Sequence, residues 1–158
     1  MPNSISCNQT PIAIAEIHGS SAYPNIRGTA IFKKKNDGLI LTVEVLGLPT
    51  STEKCNNNIF ALHIHSGNSC TGNATDPFAN AGVHYNPYNC KHPQHAGDLP
   101  PLFENNGYAY LSVYTTRLSF DDILNKFIII HDNPDDFTTQ PSGNSGTKIA
   151  CGKIVPFK

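Results

Sequence analysis

The chain has 158 residues, with 11 basic and 12 acidic side chains, a formal net charge of -1 and 39% hydrophobic residues. A chain of this length can enclose one core, so we predict a single domain over residues 1–158, with residues 1–10 as a loose N-terminal segment. The charges are scattered, which excludes a basic nucleic-acid surface, and no apolar run approaches the ~20 residues of a membrane-spanning helix.

Short segments of alternating or β-branched residues, separated by clusters of Gly, Pro, Asn and Asp, predict an all-β fold. The predicted strands, in chain order, are residues 11–18, 28–35, 39–45, 59–65, 107–115, 126–131 and 147–155. Ser119 is a suitable N-cap for one helical turn over residues 119–125. Two long segments, 66–104 and 132–146, fit neither pattern, and loops of this length inside a compact domain commonly serve a site.

Six of the seven histidines lie between positions 63 and 131. His63 and His65 are two apart on a predicted strand, so both rings leave the same face of the sheet, roughly 7 Å apart. For this pair alone, two hydrogen-bonded histidines in a half-buried strand are as good an interpretation as a metal site. His131 ends the apolar run 127–130 and adds a third imidazole, a ligand type that favours copper(II).

The first long segment carries a second group of candidate ligands. His84, His92, His95 and Asp98 place three imidazoles and one carboxylate within 15 positions. This donor set suits tetrahedral zinc, which takes nitrogen and oxygen ligands. The alternative is a polar loop that happens to be rich in histidine.

Five ordered segments then carry a resemblance that covers residues 15–154. They are ALHIH (61–65), AGVHYNP (81–87), HAGDLP (95–100), IHDNPDD (130–136) and GNSGTKIACG (143–152). Together they resemble the copper/zinc superoxide dismutase family, and the ending of the third segment is most similar to the bacterial branch. The resemblance implies an oxidoreductase that converts superoxide to dioxygen and hydrogen peroxide by copper redox cycling.

The implied fold is a flattened eight-stranded Greek-key β-barrel, an immunoglobulin-like sandwich with two long functional loops and a short eighth strand around residues 83–86. The resemblance also implies a role for each candidate residue. Copper would be bound by His63, His65, His84 and His131, and zinc by His84, His92, His95 and Asp98. Asp135 matches the family's outer carboxylate, Cys70 and Cys151 match its disulfide, and Lys148 takes the place of an arginine that attracts superoxide to copper.

The chain departs from the family pattern at the zinc ligands, since only Pro93 and Gln94 separate His92 from His95. Two other functions remain open on the same barrel. One is a non-catalytic module that binds or delivers copper, which a damaged ligand set would have favoured. The other is a copper-only dismutase, which the short spacing allows and the zinc-type ligands argue against.

Five cysteines favour an oxidising compartment, although no secretory signal opens the chain. We therefore expect an extracytoplasmic or secreted protein, with a cytoplasmic one as the alternative. Cys55 and Cys90 are candidates for a second disulfide, and His18 is expected to be an exposed side chain. The expected assembly is a monomer or a homodimer.

Overall fold

The computed structural model describes residues 10–53 and 58–158. Most of the expected N-terminal segment and Cys55, the candidate partner of Cys90, lie outside the described residues. The single domain over residues 1–158 stays a prediction. Within the described ranges, no helix has the length and apolar character needed to cross a membrane.

Strands dominate the described part of the chain. They are β1 (Pro11–Gly19), β2 (Arg27–Lys35), β3 (Gly38–Leu46), β4 (Ile59–Phe60), β5 (Leu62–His65), β6 (Leu102–Phe103), β7 (Tyr108–Thr115), β8 (Phe127–His131) and β9 (Lys148–Pro156). The predicted helical turn is confirmed as α1 (Phe120–Ile123), where Ser119 and Asp122 cap each other's backbone N–H groups. A short 3-10 helix covers Ala79–Ala81.

Seven strands form one antiparallel sheet in the order β5, β8, β9, β1, β2, β3, β7, which curls into a half-barrel. The remaining pair, β4 and β6, forms a separate ribbon. One residue separates β4 from edge strand β5, and a tight turn connects β6 to the opposite edge strand, β7. The predicted all-β class is confirmed, with the ribbon joined along the chain to both edges of the sheet.

The strand predicted over residues 59–65 is divided at Ala61. The Ala61 N–H donates to the carbonyl of Asn133 at 2.9 Å, and its carbonyl accepts from the N–H of His131 at 3.0 Å. These bonds lead to the second long loop, so β4 and β5 can pair with different partners. The sequence prediction also missed β6, because its two residues leave too short a pattern to recognise.

The prediction of a short eighth strand around residues 83–86 is wrong, because this segment makes only a single β-bridge, between His84 and His65. Two hydrogen bonds explain why pairing stops there. The Asn86 side chain accepts from the N–H of Cys90 and donates to its carbonyl, each at 2.9 Å. An asparagine that satisfies nearby backbone groups in this way stabilises a turn.

Burial differs between the two halves of the sheet. In β1 and β3 it alternates, as expected for strands with one face on a core and the other towards water. In β5 and β8 every residue is buried. Their inner-face residues, Leu62, Ile64, Ile128 and Ile130, belong to the main core, whereas the outer-face Phe127 and Ile129 pack with Phe78, Ala81 and Cys151 under the first long loop. That loop therefore covers the outer face on which His63 and His65 lie.

Candidate metal centre

Four histidines converge on the outer face of β5. His63 and His65 project from β5, His131 ends the neighbouring β8, and His84 comes from the bridged segment of the first loop. All four are buried, and one nitrogen from each ring lies within 4.8 Å of the others. The ring centroids of His63 and His65 are 6.3 Å apart, close to the spacing expected for alternate strand residues.

In two of these rings one nitrogen donates a hydrogen bond to another residue, and the second nitrogen remains available to bind a metal. His63 Nε2 donates to Asp135 Oδ2 at 2.8 Å, and His65 Nδ1 donates to the carbonyl of Gly82 at 2.8 Å. His63 Nδ1 is then buried without a hydrogen-bond partner among the described residues. His65 Nε2 lies 3.3 Å from His131 Nε2, at the same cluster. Lone pairs left unsatisfied in this way fit a metal, and four imidazoles fit copper.

His84 belongs to this cluster and also to a second one. Its Nδ1 lies 2.8 Å from Asp98 Oδ1 and 3.4 Å from His95 Nδ1. Its Nε2 is buried and has no hydrogen-bond partner within the described ranges. The two nitrogens of one imidazole point in different directions, so this ring stands between the two clusters.

The second cluster consists of His84, His92, His95 and Asp98, all buried. Asp98 Oδ2 lies 3.1 Å from His92 Nδ1 and 3.3 Å from His95 Nδ1. Ligand atoms bound to zinc at ~2.0–2.1 Å in a tetrahedron are roughly 3.3 Å apart, so these separations fit a zinc ion. The short spacing between His92 and His95 therefore still brings the full donor set together.

Asp135 connects the two clusters. Its two carboxylate oxygens accept from His63 Nε2 and from His92 Nε2, each at 2.8 Å. Gly143 lies against this link with a positive φ of 68°, and a Cβ at that position would meet Asp135 Oδ1 at 2.0 Å and His92 Nε2 at 2.7 Å. Position 143 therefore needs glycine both for its backbone conformation and for space beside the Asp135 carboxylate.

The surroundings favour the neutral imidazole at three histidines of the first cluster and the ionised carboxylate at Asp135. Burial lowers the pKa of His63 and His65, and it lowers the pKa of His131 to about 3. Burial opposes ionisation of Asp135, but hydrogen bonds from His63, the Phe137 N–H and His92 outweigh it and lower its pKa to about 2. A neutral imidazole and an ionised carboxylate are the forms that bind metals.

A cavity of about 390 Å³ opens beside the four-histidine cluster, and Lys148 lines it together with His65, His84 and His131. The Lys148 ammonium donates to Asp76 Oδ2 at 2.5 Å, and its side chain is only 15% exposed. Sequence reasoning missed Asp76, because 72 positions separate the two residues and no local pattern links them. Lys148 therefore stands at the cavity with a carboxylate beside it.

The other predicted residues are placed as follows. Cys70 and Cys151 form a disulfide that joins the first long loop to β9. His18 is exposed on β1, away from both clusters, with Glu16 at 4.0 Å. Cys90 is exposed.

A family model described as copper/zinc superoxide dismutase matches residues 26–154. The chain is 32% identical over 142 residues to "Superoxide dismutase [Cu-Zn] 2" of Aquifex aeolicus, covering 80% of this chain and 78% of that protein. It is 35% identical over 141 residues to the corresponding protein of Salmonella typhimurium, with the same coverage.

Similarity extends to proteins from animals and to a solved structure. An "Extracellular superoxide dismutase [Cu-Zn]" of Brugia pahangi is 26% identical over 166 residues, covering 93% of this chain and 77% of that protein. The crystal structure of a double mutant of a SOD-like protein from Bacillus subtilis aligns with a TM-score of 0.72 at 28% identity, covering 90% of this chain and 96% of that one.

Proposed function

Because this chain belongs to the copper/zinc superoxide dismutase family, we propose that its two ligand clusters are the metal sites of a superoxide dismutase that forms dioxygen and hydrogen peroxide. The copper ligands are His63, His65, His84 and His131, and the zinc ligands are His84, His92, His95 and Asp98. Copper, when bound, supplies the one-electron redox chemistry. The observation that carries the assignment is the position of His84, which belongs to both clusters and whose Nδ1 lies against Asp98 while its Nε2 is left without a hydrogen-bond partner among the described residues.

His84 Nε2 is the atom at which we propose that a proton is held, when this nitrogen is not bound to copper, and then delivered to the peroxide product. This nitrogen is buried and lacks a hydrogen-bond partner in the described part of the chain, and the His84 side chain belongs to the cluster beside the cavity. An imidazole in such a position can hold a proton and donate it to an anion within hydrogen-bond reach.

Asp135 orients one ligand of each proposed metal. By accepting from His63 Nε2 and His92 Nε2, it keeps those nitrogens protonated and leaves both Nδ1 atoms with free lone pairs. Fixing the tautomer and the ring plane in this way orients the two imidazoles for their metals.

Lys148 is proposed to attract superoxide to the cavity. Its position on the cavity wall supports this role, since a positive group in a cleft raises the encounter rate with small anions. Asp76 fixes the ammonium and offsets part of its charge. Attraction over long distances is therefore weaker than a solitary lysine would give.

The ligands of this site argue against the two other functions. A damaged set of copper ligands would have favoured a copper-delivery module, but all four histidines are present and buried together. A copper-only dismutase would not need the three-nitrogen, one-oxygen cluster, whose ligand spacings suit zinc.

We further propose an extracytoplasmic or secreted location, with a cytoplasmic one as the alternative. The disulfide between Cys70 and Cys151 supports it, because such bonds persist in oxidising compartments, and the extracellular relative agrees. A monomer or a homodimer is proposed for the assembly, which sedimentation analysis of the loaded protein would distinguish.

The function is tested by loading the protein with excess copper and zinc, then measuring both its metal content and its superoxide dismutase rate. We expect equal amounts of both metals and full activity, and we expect His63→Ala to lose activity while the fold persists. His18→Ala serves as the matched control, because His18 is an exposed histidine outside both clusters. Bound copper without turnover would favour a delivery module, and turnover without zinc would favour a copper-only enzyme. Full activity of His63→Ala at full copper occupancy would overturn the ligand assignment.

A further inference from the structure

We propose that Arg117 is a positioning residue for zinc, which holds two of the ligand residues through their main chain without touching the metal. This inference rests on the zinc assignment made above. It concerns the segment from His92 to Asp98, which supplies three of the four ligands of the second cluster.

The Arg117 guanidinium binds the outer side of this segment at two points. Its Nη1 donates to the carbonyl of His95 at 3.1 Å, and its Nη2 donates to the carbonyl of Asp98. Both carbonyls belong to residues whose side chains enter the cluster. A planar guanidinium offers two donors in fixed relative positions, so one side chain sets the distance between the two carbonyls.

The bonds inside the turn explain why that distance matters. The N–H of Asp98 donates to the carbonyl of His95 at 3.1 Å, and the N–H of His95 donates to Asp98 Oδ2 at 3.0 Å. A change in the turn would therefore move the carboxylate and the imidazole together. Arg117 closes the same turn from outside.

Arg117 is itself attached to the barrel. It follows β7 by two positions, its N–H donates to Thr115 Oγ1 at 3.1 Å, and the next residue, Leu118, is buried in the main core. The guanidinium thus connects the zinc segment to a rigid element that is distant in sequence.

The other end of the segment is held in a similar manner. Gln140 Oε1 accepts from the N–H of His92 at 3.0 Å, and Gln140 Nε2 donates to its carbonyl at 2.7 Å. With only two residues between His92 and His95, the segment has little length to adjust its own geometry. Side chains from elsewhere in the fold therefore fix both of its ends.

The charge of Arg117 and its hydrogen bonds predict opposite effects on zinc. If charge dominated, removing a cation beside a zinc site would strengthen zinc binding. If positioning dominates, as proposed, losing the two bonds weakens zinc binding, and lysine cannot replace arginine, since its single ammonium lacks the fork geometry.

The test measures zinc affinity by chelator competition in the full chain, for Arg117→Lys and Arg117→Ala. We expect zinc to bind roughly 10–100-fold more weakly in both variants, the loss found when residues that orient metal ligands are removed, with copper affinity, measured without zinc, much less affected. The visible spectrum of the cobalt-substituted zinc site should also change, because it reports ligand geometry directly. Arg27→Lys is the matched control, since Arg27 is the chain's only other arginine and lies at the start of β2.

Asp98→Ala, measured alongside, separates two failures. If Asp98→Ala weakens zinc binding while both Arg117 variants match the parent, Arg117 has no positioning role and the zinc assignment stands. If Asp98→Ala also binds zinc as the parent does, the zinc assignment itself is wrong. Tighter zinc binding in Arg117→Ala, with Arg117→Lys matching the parent, would show that charge dominates and would overturn the positioning role.

Discussion

Breaking the disulfide between Cys70 and Cys151 should cost this protein a large part of its stability. The bond joins residues 81 positions apart, so it closes about half of the chain into a loop. In the chain-entropy model a closed loop of that length stabilises the folded state by roughly 4.5 kcal/mol. For a chain of this size, that loss lowers the melting temperature by roughly 9–18 °C.

Cys70→Ser is the suitable perturbation. Cys70 is only partly buried, so a serine hydroxyl at this position can reach water. Cys151 is buried against Phe127 and Ile129, so a serine there would place a hydroxyl group in an apolar environment. The free energy of unfolding is measured by urea titration of the metal-free protein, followed by circular dichroism. Cys90→Ser is the control, since Cys90 is exposed and does not belong to the apolar cluster around Cys151.

The parent and Cys90→Ser should unfold with the same free energy, and Cys70→Ser should unfold far more readily. A difference below about 1 kcal/mol between the parent and Cys70→Ser would refute the reasoning, because the long loop would then contribute almost none of its expected entropy. Adding reductant to the parent provides an independent check, since it breaks the bond without changing a side chain.

Three further predictions follow from the site. Gly143→Ala should weaken zinc binding roughly 10-fold or more by displacing the carboxylate that links the clusters, whereas Gly107→Ala, which adds similar backbone strain but meets no atom closer than 3.5 Å, should not. In stopped-flow assays Lys148→Ala should slow the reaction and flatten its dependence on ionic strength, whereas Asp76→Asn should steepen that dependence; equal salt slopes in all three proteins would exclude charge attraction. Asp98→Ala should lower the melting temperature in excess zinc and leave copper binding, measured without zinc, largely intact, and an unchanged melting curve would count against a zinc site.

Local pattern predicted those parts of the site that depend on secondary structure. The period of two in β5 correctly placed His63 and His65 on one face, and the apolar run of β8 correctly ended at His131. The capping signal of Ser119 also gave α1 close to its observed position. In each case the determining contacts are between residues close together in the chain.

Other features depend on partners far away in the sequence, and local pattern could not reveal them. Ala61 breaks its strand because its hydrogen bonds go to residues of the second loop and its border. Asp76 and Arg117 lie in segments with no distinctive composition, and their roles follow only from the side chain or carbonyl that the fold brings beside each. The short ribbon of β4 and β6 likewise forms only because two short segments, far apart in the sequence, pair with each other.

The carboxylate of Asp135 also has a thermodynamic consequence. One rigid group receives a proton donor from each cluster, and the His84 ring is shared by both, so neither set of ligands can be ordered independently. Ordering that is completed when one metal binds need not be repeated for the second. Loading either site should therefore raise the affinity of the other by the same factor, because coupling between two binding equilibria is reciprocal. The order in which the cell supplies copper and zinc would then change the route of assembly, while the final free energy of the loaded protein stays the same.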